Sequence, residues 1–256
     1  ENYLDIYGDI GKNKTIASIL KYNTLESNPS NKIEIKNNEF QGQKGVIGII
    51  GSGNFTKMTM LPALKGSKAN YKYLASQGGL SSTVLAKKHG FSFSTTNYKE
   101  ILNDSEVDLV CITTKHNMHA QLTIESLQEN KHVFVEKPLA LNLEELNQII
   151  EAQKASNKTV TVGFNRRFSP HAIKMKSLLG NATMNVVATM NAGFIPSNVW
   201  VHDMKVGGGR IIGEACHFID LITFLTGSKV KSVCMNAMLV NPDENTDNAT
   251  ILLKYE

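Results

Sequence analysis

Five short runs of apolar, largely β-branched residues recur through the middle of this chain. They are "GVIGII" (45–50), "YKYLAS" (71–76), "VDLVCITT" (107–114), "HVFVEK" (132–137) and "TVTVGF" (159–164). Runs of this kind are what a parallel strand buried on both faces requires. Between them lie stretches with helical spacing: Asn54 to Lys65, "STVLAKKHG" closed by Gly90, His116 to Asn130, and "LNLEELNQIIEAQKAS". Strand and helix alternating at short intervals predict an α/β fold, with a Rossmann-like doubly wound parallel sheet over residues 45–164.

After Phe164 the rhythm changes. "ATMNVVATMNAGFI" and "KVKSVCMNAMLV" are long strand candidates, and "GGGRIIGEACHFIDLITFLTG" between them is a glycine turn leading into an apolar helix. Long strands with few helices predict an α+β domain with a largely antiparallel sheet over residues 165–256. Residues 1–44 read as the tail and linker of a preceding domain. "TIASILKY" is a strand candidate there, and "NTLESNPSNK" is polar and turn-rich. The last segment, "NATILLKYE", is a strand that stops with an open edge, as in a truncated domain.

Composition narrows the function classes. A chain of 256 residues with 41% hydrophobic content can bury a sizeable core. The net charge is +4 and the basic residues are scattered, which argues against a nucleic-acid partner. Cys111, Cys216 and Cys234 lie far apart without CxxC spacing, so neither a disulfide framework nor a metal site is expected. Small buried packing roles in a reducing compartment suit them. No apolar run reaches membrane-spanning length and the N-terminus lacks a signal pattern, so the expectation is a soluble, cytoplasmic protein with no membrane partner.

"GIIGSGNF" follows the first strand and opens a helix. Gly51 and Gly53 take the first two glycine positions of G-x-G-x-x-G, and Asn54 and Phe55 lead into the helix. The first glycine permits the tight turn, and the second lets a pyrophosphate approach the helix N-terminus. Thr56 stands at the third position, which predicts looser helix–strand packing. "YKYLAS" ends in Ser76, where NAD sites usually carry an acid, so either NAD or NADP is admitted.

Ligands of open α/β sheets bind outside the carboxyl ends of the strands, where Thr113, Thr114, His116, Glu136 and Lys137 fall. Pro138 restricts the backbone of Lys137, and a tight turn there is expected to select a cis Lys137–Pro138 bond. A lysine so placed can polarise a substrate hydroxyl or move its proton. His217 lies on the apolar helix with Glu214 three residues before and Asp220 three after. That spacing puts both acids near one face with the ring, and an imidazole beside a carboxylate is an acid–base arrangement. Glu214 is expected to point at His217 and raise its pKa. The alternative is that Glu214 merely complements the dipole of the helix N-terminus.

With these motifs in hand, "GIIGSGNF", "ITTKHNMHAQLTIESLQENKHVFVEKPLALNLEEL", "VGFNRRFSP" and "GGGRIIGEACHFIDLITFLTG" resemble the Gfo/Idh/MocA family of glucose–fructose oxidoreductase and inositol dehydrogenase. The match runs from Gly45 to the C-terminus and resembles the branch fused behind a zinc-type alcohol dehydrogenase domain. The resemblance implies an oxidoreductase of sugars, polyols or sugar nucleotides using NAD or NADP, and a homo-oligomer built through the second-domain sheet. It implies that Lys137 and His217 frame the substrate, and that Asn165, Arg166 and Arg167 of "GFNRRF" lie near substrate and cofactor. The family often has an aspartate four residues before the histidine; here that position is Gly213, and Glu214 is expected to stand in. A cofactor-binding regulator of the same fold is the competing reading.

Overall fold

Val46–Ile50 (β2) is buried at every position and occupies the centre of a seven-stranded sheet. The computed structural model describes residues 30–40, 42–180, 183–238 and 247–256, and "TIASILKY" lies outside them. The chain divides into a short unit, Glu1–Ser30, and a main unit, Asn31–Glu256, which carries the sheet and the site. Around β2 the strands are Lys32–Glu34 (β1), Asn70–Ala75 (β3), Phe93–Thr95 (β4), Leu109–Ile112 (β5), His132–Val135 (β6) and Val160–Val162 (β7), in the order β1-β4-β3-β2-β5-β6-β7. From β4 to β7 every pair is parallel, while β1 joins β4 antiparallel. The doubly wound sheet is therefore present, with its order reversing between β2 and β5.

Alternation along each strand builds two cores. Val46, Ile50, Val110, Ile112, Val133 and Val135 point to one face. Ile47, Ile49, Leu74 and Cys111 point to the other. Burial on both faces is the reason these strands carry hardly a polar residue. Gly48 is required by packing: a Cβ there would lie 2.2 Å from the Ile101 side chain.

The helices are Leu61–Leu64 (α1), Leu80–His89 (α2), Lys99–Leu102 (α3), His119–Gln128 (α4), Leu143–Ser156 (α5), Pro170–Leu179 (α6) and Cys216–Thr226 (α7). Asn142 caps α5 by accepting from the Glu145 amide, and Glu145 in turn accepts from the amide of Leu141, just before the cap. Gly90, in the left-handed conformation, ends α2 as expected.

Several expectations need correction. Lys32–Glu34 and Phe40 were expected in a linker, yet the former pairs into the sheet and the latter is buried in its core. β4 and α3, short elements between stronger signals, had no counterpart in the sequence reading. "ATMNVVATMNAGFI" was expected to be a strand, but residues 183–195 carry no strand. The antiparallel sheet of the second domain consists, among the described residues, of Val230–Ala237 (β8) and Ala249–Tyr255 (β9) paired with each other. A sequence rich in strand formers makes a strand only where a ladder partner is in register. The same open sheet leaves Cys234 exposed on β8, against the expectation of a buried cysteine.

Candidate active site

The strand order reverses between β2 and β5, and ligands of open α/β sheets bind outside the carboxyl ends of strands at such a point, which the glycine loop borders here. Gly51 has φ +117°, and a Cβ there would lie 2.5 Å from Thr113 Oγ1 and 2.7 Å from the Thr113 carbonyl. Only glycine lets the loop lie this close to the end of β5. At Gly53 a Cβ would meet nothing within 4 Å, so the backbone faces open space. Thr56 corrects the expectation of loose packing. It is fully buried, and its hydroxyl lies 3.0 Å from the Gly51 carbonyl and 2.7 Å from Thr113 Oγ1. The hydroxyl ties the loop to β5, and the following turn, Thr56–Met60, is a π-helix that runs into α1.

Asn54 is exposed and Phe55 half-buried at the helix start. Ser76 follows β3 among hydroxyls: its Oγ donates to Ser82 at 2.9 Å and lies 3.4 Å from Ser81, which itself meets Ser52 at 2.5 Å. No carboxylate belongs to this hydroxyl group. Thr114 turns its hydroxyl to the Lys115 carbonyl at 3.2 Å.

Glu136 and Lys137, adjacent in sequence, point to different places. The Glu136 carboxyl lies against Gly163, where a Cβ would come within 2.5 Å of Oε1. Oε1 is buried without a hydrogen-bond partner, and desolvation pushes the carboxyl pKa up to about 7. Lys137 turns to the second domain. Its Nζ donates to the Gly213 carbonyl at 2.7 Å and to Glu214 Oε1 at 3.1 Å. The Lys137–Pro138 bond is cis, as expected.

His119 holds this turn from below, a role that sequence reasoning missed. Its ring is fully buried, with Nδ1 2.7 Å from the Pro138 carbonyl and Nε2 3.2 Å from the Thr114 carbonyl. Burial lowers its pKa, and a neutral ring donates to only one of the two carbonyls; the shorter contact marks Pro138. The signal was present in the sequence: a histidine in the first turn of α4, directly beyond a strand end. His116 faces the other way. Its Nδ1 lies 2.7 Å from the Gly207 carbonyl, its ring meets Trp200 edge-on at 4.8 Å, and burial lowers its pKa. It thus seats the "GGG" turn beyond the end of β5.

His217 overturns one expectation. Glu214 does not bind it but pairs with Lys137, and Asp220 forms a two-point ion pair with Arg167, 2.9 Å from Nε to Oδ2. Both acids that flank the ring in sequence are thus taken by cations. The His217 pKa is lowered to about 4, by desolvation first and then by Lys137 and Arg166, so a raised value does not occur. The ring lies edge-on to Phe164 at 6.4 Å. Its Nδ1 is buried without a partner, which leaves Nε2 as the nitrogen for chemistry. Asn165, Arg166 and Arg167 form a 3-10 turn after β7. Arg166 lies over Phe218 at 4.6 Å, and Arg167 over Phe224 at 5.8 Å.

The structure thus joins Lys137, Glu214, His217 and Arg166 in one cluster beyond the sheet, with Glu136 behind it. A cavity of about 1100 Å³ between residues 183–194, α7 and β9 lies elsewhere: it includes Phe218 and Ile222 but none of Lys137, Glu214 or His217. No helix among the described residues is long and apolar enough to cross a membrane.

Comparison with known proteins agrees with this architecture. Residues 46–164 match the model of an oxidoreductase family with an NAD-binding Rossmann fold, and residues 178–256 match the GFO/IDH/MocA C-terminal domain. Oxidoreductase YrbE of Bacillus subtilis is 29% identical over 82% of this chain and 64% of its own length. Myo-inositol 2-dehydrogenase of Thermotoga maritima is 27% identical over 67% of this chain and 53% of its own. A levoglucosan dehydrogenase solved with NADH and levoglucosan superposes with a TM-score of 0.68 at 24% identity, covering 82% of this chain and 63% of that one. The chain thus spans between half and two thirds of the length of these relatives. Two family models, one for each part of the architecture, carry the conclusion that the chain belongs to the Gfo/Idh/MocA oxidoreductase family.

Proposed function

We propose that this chain provides the catalytic cleft of an NAD- or NADP-dependent dehydrogenase acting on a secondary hydroxyl of a sugar or polyol. The observation that carries the reading is the meeting of Lys137 with the start of α7: Nζ reaches Gly213 and Glu214, beside a neutral His217. The glycine loop fits a dinucleotide, since Gly53 is open and Gly51 lies flat on Thr113. The nicotinamide supplies a hydride acceptor when bound. In oxidation the carbinol carbon loses a hydride, the hydroxyl loses a proton, and a carbonyl results. The Lys137 ammonium donates to the substrate oxygen and stabilises charge that develops there. The His217 ring, neutral at neutral pH, accepts the proton. Glu214 keeps the ammonium oriented.

The myo-inositol and levoglucosan activities of relatives support a sugar or polyol substrate here. The hydroxyl group at Ser52, Ser76 and Ser81 supports acceptance of both cofactors, since no carboxylate there repels a 2′-phosphate. Ser76→Asp is then expected to weaken NADP binding about tenfold or more relative to NAD; equal affinities before and after would place Ser76 away from the ribose. The exposed apolar side chains Val233, Met235 and Leu252 on β8 and β9 support association of copies through that sheet. The test of the function itself is reduction of NAD or NADP by a panel of sugars and polyols. Cofactor binding with no reduction by any of them would favour a regulator of the same fold.

A further inference from the structure

Three cationic side chains converge on the cleft, and two are neutralised within the protein. Lys137 is paired with Glu214, and Arg167 with Asp220. Arg166 has no acid partner among the described residues, and its guanidinium lies over the face of Phe218, at 4.6 Å. That stacking fixes the plane of the guanidinium while leaving its edge N–H groups free. Phe218 stands next to His217 in α7, and the Arg166 charge is close enough to be among those that keep the His217 ring unprotonated. An edge of parallel N–H donors fits a carboxylate or a phosphate in two-point fashion and offers a neutral sugar much less.

We propose that the substrate is an anionic sugar, whose carboxylate or phosphate group is held by Arg166 while its secondary hydroxyl reaches Lys137 and His217. This rests on the dehydrogenase reading and narrows it to a substrate class. An exposed arginine is ordinarily just solvated. What sets Arg166 apart is its place: it follows β7 at the carboxyl end of the sheet, it is immobilised on an aromatic ring, and it adjoins an arginine whose charge is already matched. A neutral substrate would leave the cleft with an unmatched cation next to the group that must accept a proton.

The experiment measures binding of three probes to the NADH-bound chain by titration calorimetry: glucuronate, glucose 6-phosphate and glucose. At least one of the two anionic sugars is expected to bind about tenfold or more tightly than glucose, and which one tells carboxylate from phosphate. The preference should shrink as salt rises. Arg166→Gln should lower the affinity of the preferred anion by about tenfold to a hundredfold, and Arg166→Lys should restore part of it. Because Arg166 is exposed, both variants are expected to fold, which far-ultraviolet dichroism checks. Glucose binding as tightly as both anions, or Arg166→Gln leaving the preference intact, overturns the anionic class while the dehydrogenase reading stands. A loss of NADH affinity in Arg166→Gln as large as the loss of sugar affinity also overturns it, since the arginine would then serve the cofactor. No binding by any probe counts against both.

Discussion

Lys137 and Glu136 show how much depends on single side chains at a strand end. β6 finishes in two charges because one turns inward under the cleft and the other outward across it. The inward carboxyl has a pH signature. Its pKa is raised from 4.5 to about 7, so the fold favours the neutral acid. That contribution is fully present below about 4.5 and is lost as pH rises through 7. Glu136→Gln, which stays neutral, is therefore expected to gain thermal stability relative to the parent between about pH 5 and about pH 8. Parallel pH dependence of the two midpoints would mean that the carboxyl is ionised and solvated. His217 acts in the opposite sense. Its pKa is depressed from 6.5 to about 4, so its contribution is present above 6.5 and is lost as pH falls through 4. Glu214→Gln tests the ion pair: kcat/KM should fall about fivefold to tenfold, with cofactor affinity retained. Unchanged kcat/KM would reduce Glu214 to a helix-terminus acid. Lys137 was legible from its place before Pro138, and His217 from its acidic company. The partners of those acids were not. Spacing along a helix tells which residues share a face, but not which cation from another segment reaches that face first.

At the scale of elements, the site depends on how α4 and α7 meet the ends of β5 and β6. His119 in the first turn of α4 bridges the turns that follow both strands, and His116 one turn earlier seats Gly207. Gly207 itself has room for nothing larger: a Cβ would lie 2.5 Å from the backbone of Val201. His119→Phe preserves the packing shape but leaves the Pro138 carbonyl without its histidine donor. It is expected to cost about 1–3 kcal/mol in unfolding free energy and to lower turnover by displacing Lys137. Denaturant unfolding and steady-state rates check this; a variant with parental stability and rate would show that the bridge is incidental. The parallel strands were readable because burial on both faces leaves an unbroken apolar record in β2 and β5. β1 and β4 left almost none, being three residues long, and their pairing depends on a partner far away in sequence.

Over the whole molecule, the kind of each sheet, largely parallel before Phe164 and antiparallel after it, was legible as a change of rhythm. The content of the second sheet was less so. Residues 183–195 have the composition of a strand but form no ladder, because composition does not specify a partner. The Rossmann part, by contrast, specifies its own partners through crossovers, and the cleft falls where its strand order reverses. The assignment of chemistry rests on one side chain that passes from this part to the other. Lys137 leaves the end of β6 and binds the start of α7, and in the proposed function it holds the substrate oxygen. The most direct measurement is therefore the rate of nicotinamide reduction by the parent chain and by Lys137→Ala, each with its cofactor affinity determined separately. The account predicts a fall in kcat/KM of roughly a hundredfold or more in the variant, with cofactor affinity nearly unchanged. A variant that reduces the cofactor at close to the parental rate would contradict it.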